Sequence, residues 1–160
     1  MYATQFYSRH DRYMENLSEG AQIVIQSMRR WHLSVKTSKN PQLGTYEFYR
    51  RCGLVQAAPV FHKILQSLST EALNQMQLGH FNQPRLNDDE LDFLQCLRLV
   101  QCGEEEKAAK AMGKFVDGGL VYGFISLAKE YVYILQKRYS LISDDSNCLQ
   151  SANTYGRKYH

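Results

Sequence analysis

The sequence predicts an all-α protein, a single-domain orthogonal bundle of six or seven helices with polar terminal arms. Three observations carry this. Residues 86–103, LNDDELDFLQCLRLVQCG, contain one complete helix with its own start and stop signals. Apolar residues recur at helical spacing in several other segments. No alternating strand pattern runs longer than about four residues.

The 86–103 stretch sets the standard for the others. Asn87 suits the cap position, and Glu90 three residues later makes a capping-box-like pair. Asp88, Asp89 and Glu90 complement the positive end of the helix dipole. Leu91, Leu94, Leu97 and Val100 fall on one stripe, which Phe93 and Leu99 widen. Gly103 stands where a left-handed cap ends a helix.

Residues 1–16 are polar and Tyr-rich and read as an arm that packs through Phe6, Tyr7 and Tyr13. The helical domain is expected over 17–142. Ser18 caps a helix running to about Val35, with Ile23, Ile25, Met28 and Trp31 as its apolar residues. Lys36–Gly44, KTSKNPQLG, reads as a loop from its Asn-Pro and Gly punctuation. Thr45 then opens a short aromatic helix closed by Gly53. A third helix spans about Gln56 to Ser67, and Pro59 fits only its first turn. Val60, Phe61, Ile64, Leu65 and Leu68 form its buried stripe.

One more short helix fits Ser69–Gly79, before a Gly- and Pro-marked connection at 78–86. After the 87–102 helix, Glu104–Phe115 opens acidic and continues Ala-rich, a good helix composition. Gly118–Tyr139 is expected to be the last and longest helix. Apolar residues on most of its circumference make it central to the fold. Residues 143–160 are polar, lack a core face and read as a tail.

A chain of 160 residues buries a core without help from metal or disulfide. The net charge of +3 is too small to argue for a nucleic-acid partner. Its distribution is uneven: residues 1–86 hold ten basic against five acidic residues, and the remainder nine against eleven. Arg29, Arg30, Lys36, Lys39, Arg50 and Arg51 contrast with acidic clusters at 88–92 and 104–106, as expected of helix surfaces that meet. Cys52, Cys96, Cys102 and Cys148 lack CxxC spacing and read as buried free thiols in a reducing compartment. Met1–His10 has no apolar core of a signal peptide. The most apolar run, 120–135, is interrupted by Lys129 and Glu130 and is too short to span a bilayer. The expected setting is cytoplasmic, without a membrane partner.

Chemistry is nearly silent. His10, His32, His62, His80 and His160 form no HExxH or HxxxH pair. His62 reads as a surface residue and His80 as structural or merely exposed, and no metal or cofactor is expected. The acidic residues at 88–92 and 104–106 are accounted for by helix starts. No GxSxG or phosphate loop is present. The segments MRRWHLSV, GLVQAAPVFHKILQSL and LNDDELDFLQCLRLVQCG resemble those of short, all-helical bacterial proteins of unknown function. That likeness spans about residues 20–135 and brings no activity with it.

Three functional readings follow. The first is a non-enzymatic protein–protein interaction or scaffold module that self-associates as a homodimer. It rests on Tyr122, Tyr131 and Tyr133 of the last helix, because tyrosine combines contact area with a polar tip. The second is a helix-turn-helix nucleic-acid binder, with the helix pair at residues 45–68, using the basic region 29–63. Arg50, Arg51, Gln56, His62 and Lys63 would then face phosphates or bases, with Arg29 and Arg30 in the same basic region. Pro59 and a first turn poor in polar residues weigh against it. The third is a small ligand-binding protein or enzyme with a pocket near Trp31, His32 and His80.

Overall fold

The computed structural model describes residues 12–37, 39–68, 75–138 and 142. Among them are six α-helices: α1 (Glu19–Lys36), α2 (Pro41–Arg51), α3 (Ala57–Ser67), α4 (Asp88–Gln101), α5 (Glu105–Met112) and α6 (Val121–Lys137). Short 3-10 turns occupy Met14–Asn16 and Gly118–Leu120. The protein is an all-α bundle. Residues 1–11, most of the expected Ser69–Gly79 helix and the 143–160 tail lie outside the described residues.

Local signals explain most helix ends. The Ser18 hydroxyl accepts from the Ala21 N–H at 3.3 Å and starts α1. The Asn87 N–H donates to Glu90 Oε1 at 2.9 Å, one half of the capping box that opens α4. Gly53 (φ 72°) and Gly103 (φ 78°) turn the chain after α2 and α4 in the left-handed region, where a Cβ is penalised. Pro59 sits in the first turn of α3, as expected.

Helix α2 begins four residues before the expected start at Thr45. Asn40 Oδ1 accepts from the Gln42 N–H at 3.0 Å, and Pro41 takes the first helical position. The Asn-Pro pair is therefore a helix start rather than loop punctuation.

Packing closes a ring in which α1 meets α2, α2 meets α3, α3 meets α6, α6 meets α4, and α4 returns to α1. Helix α5 lies against α4 and α6. The expected centre was the last helix, but the central one is α4. Eleven of its fourteen residues are buried, including Glu90, Gln95, Arg98 and Gln101. In α6 seven of seventeen are buried, all on one stripe from Val121 to Leu135. Tyr131 lies on that stripe, whereas Tyr122 and Tyr133 face outward. Nor is α6 the longest, since its first three expected residues form the 3-10 turn.

Two aromatic groups fill the core. Tyr49, Phe61 and Tyr131 join α2, α3 and α6, with ring centroids 5.4–6.3 Å apart. Phe93 meets Phe115 and Phe124 edge-on at 6.5 and 6.3 Å.

The irregular stretch 76–87 is held firmly. Met14 N–H donates to Pro84 O at 2.8 Å, and Leu86 N–H donates to Arg12 O at 2.7 Å. Arg29 reaches across from α1 to the carbonyls of Gln83 (2.7 Å) and Arg85 (3.2 Å). Gly79 leaves the space this side chain needs, because a Cβ there would come within 2.5 Å of its guanidinium.

Candidate functional site

The residues expected to bind a ligand or nucleic acid do not form one surface. Arg29 is interior. Its Nε and Nη2 bind both oxygens of Glu90, at 2.7 and 3.0 Å, with the side chains 1% and 0% exposed. Trp31 is buried, and its indole N–H donates to His62 Nδ1 at 3.2 Å. His62, expected at the surface, is buried with it. Helix periodicity cannot tell a histidine facing solvent from one turned toward a tryptophan on another helix.

Arg30 takes a different place from its neighbour. Its guanidinium carbon lies 4.6 Å from the Phe48 ring centroid and 4.4 Å from that of Phe81. Arg50 pairs with Glu47 one turn earlier on α2, at 2.9 Å. Arg51 and His80 are exposed, and His32 is half-buried. Sequence reasoning passed over Phe48 and Glu90 as binding partners, and their contacts span 18 and 61 residues of chain.

The helix-turn-helix reading needs α3 to present a polar face. Pro59, Lys63 and Gln66 are its exposed residues, while Ala57, Ala58, Val60, Phe61, His62, Ile64 and Leu65 are buried. A recognition helix enters a groove with base-reading side chains outward. This helix spends most of its circumference on the core.

The acidic starts also find partners. Asp88 pairs with Arg12 at 2.9 Å. Lys114 bridges Asp89 and Asp92, both at 2.7 Å, which pushes its ammonium up to about 12. Lys129 pairs with Glu105. Among the described residues no three His, Cys, Asp or Glu side chains gather as a metal site would require.

Cys52 and Cys96 are free, whereas Cys102, expected as a free thiol, is disulfide-bonded. Burial pushes the Cys96 thiol up to about 12 and raises that of Cys52. Neither is poised as a thiolate nucleophile.

Burial lowers the pKa of His62, and burial followed by the charge of Lys36 lowers that of His32. The Trp31–His62 bond requires a bare Nδ1 and so a neutral ring. As pH falls through the ordinary histidine value of 6.5, the unfolded chain binds protons before the folded one does. Stability is therefore full above that value and is lost below it. Urea denaturation is expected to show stability falling as the pH drops below about 6.5. His62→Gln should flatten that dependence, and an unchanged profile in the variant would refute the assignment.

The aromatic residues of α6 divide sharply. Tyr131 was expected in an oligomer interface but is fully buried, its hydroxyl 2.7 Å from that of Tyr49. It reaches no outer surface. Tyr122 and Tyr133 are 75% and 58% exposed. Eleven residues of helix separate them, about 16 Å along the axis and within about 20° of the same direction. Ser126, Lys129, Glu130 and Lys137 complete this outer face. Lys137 lies 4.6 Å over the Tyr133 ring. Leu120, 57% exposed, stands just before the helix. Around Gly118, Gly119 and Gly123 a Cβ would meet nothing within 4 Å.

No protein-family model, curated protein or solved structure matches this chain. The resemblance to short bacterial helical proteins gains no support from these comparisons. Among the described residues no helix is long and apolar enough to cross a membrane.

Proposed function

We infer that this protein is a non-enzymatic association module that self-associates through the outer face of α6. The observation behind this reading is the pair of exposed tyrosines, Tyr122 and Tyr133, on one face of a helix whose other face is core. Large aromatics left in water on an ordered helix are the usual anchors of protein contacts.

A second copy is the occupant that suits this face. Pairing two α6 helices antiparallel about a two-fold axis, level with the junction of residues 127 and 128, sets Tyr122 of each copy against the partner's Tyr133. The contact is then made twice by one patch, as an isologous dimer requires. The open space around Gly119 and Gly123 allows close approach at both ends. Lys129 is already neutralised by Glu105, so like-charge repulsion across the axis is small.

Size exclusion with light scattering tests the reading. Wild type is expected to show a concentration-dependent dimer that survives high salt. Tyr122→Ser with Tyr133→Ser should remain monomeric with an unchanged melting temperature. A wild type monomeric at every concentration, or a variant dimer as strong as wild type, would refute it.

A further inference from the structure

Among the described residues, Arg30 has no anionic partner. Its guanidinium lies against the rings of Phe48 and Phe81, and its Nε is buried with no hydrogen-bond partner among the described residues. No ion pair answers it among the described residues. Arg51 is close enough for its positive charge to act on Arg30, and it too lacks an ion-pair partner among those residues. Beside Arg30 opens a cavity of about 220 Å³, lined also by Leu33, Ser34, Gly44 and Phe81.

The walls decide what this cavity suits. The Ser34 hydroxyl already donates to the Arg30 carbonyl at 3.0 Å. Leu33 and Phe81 are partly exposed at the rim. Two aromatic rings lie within 4.6 Å of the guanidinium carbon, so a ligand would meet the N–H edge. That edge matches a carboxylate through two parallel N–H donors. A phosphate needs several more donors, and these apolar walls do not supply them. The volume is below the roughly 300–1,000 Å³ of drug-sized sites, so the fitting ligand is small.

We propose that this cavity binds a small organic monocarboxylate, its carboxylate on the Arg30 edge and a compact apolar group against Leu33 and Phe81. The site is separate from the α6 face, and either can fail without the other.

An NMR titration with phenylacetate, following the backbone amides and the Arg30 Nε–H signal, tests this directly. Saturable shifts confined to α1, α2 and the segment around Phe81 are expected at millimolar ligand. Phenylacetamide, which lacks the charge, and inorganic phosphate should produce none. Arg30→Gln is expected to weaken binding about tenfold or more. Leu33→Asp places a carboxylate at an exposed rim position and should abolish binding while leaving the helical spectrum intact. No saturable shift, an equal response to phosphate, or undiminished binding by folded Leu33→Asp would overturn the proposal.

Discussion

Arg29→Ala is expected to cost the fold about 3–5 kcal/mol, the range seen when one partner of a buried ion pair is removed. Both charges are out of water, so the substitution strands the Glu90 carboxylate inside the bundle. It also removes the donors to the Gln83 and Arg85 carbonyls, releasing α1 from the 76–87 segment. Domains of this size are stable by only about 5–15 kcal/mol, so the variant should sit close to unfolding. Urea denaturation measures the loss. Arg29→Met combined with Glu90→Gln should recover part of it, because no unpaired charge is left and the glutamine oxygen still accepts from Asn87 N–H. A single-variant cost under about 1 kcal/mol would mean that water reaches the stranded carboxylate. Lost partner binding in Arg29→Ala would thus report damage to the bundle, not a missing contact.

Tyr131→Ala is expected to cost about 3–5 kcal/mol, as for other large buried aromatics. The ring fills the junction of α2, α3 and α6, and its hydroxyl meets Tyr49 where no water competes. Burial pushes both phenols well above their ordinary range, so neither ionises in the folded state near neutral pH. Tyr133→Ala, two residues away, should change stability by no more than about 0.5 kcal/mol. Thermal melts of the two variants decide the point. Comparable losses in both would refute the division of α6 into core and outer faces. The pair also separates two phenotypes: Tyr131→Ala attacks the fold, and Tyr133→Ala attacks self-association alone.

The helices were legible wherever their information was local. Ser18, Asn87 and Gly103 act within one turn of chain, and each does in the structure what its residue type predicts. Asn40-Pro41 was equally local but ambiguous, since the same dipeptide ends one element or begins another. The rank of the helices was not legible. An isolated α4 offers Gln95, Arg98 and Gln101 as a polar face, yet all three are buried in the bundle. An isolated α6 offers tyrosines that look apolar all round, yet two of them stand in water.

The candidate site was harder to read for the same reason. Arg29 and Arg30 are adjacent in sequence and look like one basic patch. Their fates depend on Glu90, Phe48 and Phe81, which chain proximity does not reveal. Glu90 had a sufficient local explanation as a capping residue and serves as both cap and ion-pair partner. Trp31 and His62 each looked self-explanatory and turned out to bond to one another.

The anchoring of residues 76–87 bears on how this chain tolerates changes in length. Surface connections usually absorb insertions because nothing depends on their register. Here the carbonyls of Gln83, Pro84 and Arg85 and the N–H of Leu86 all have fixed partners on other parts of the chain. One added residue between Gln83 and Leu86 would put these groups out of step with one another, although no regular element is interrupted. Sequence drift in relatives of this protein should therefore preserve the spacing from Gln83 to Leu86 more strictly than the identity of most residues within it.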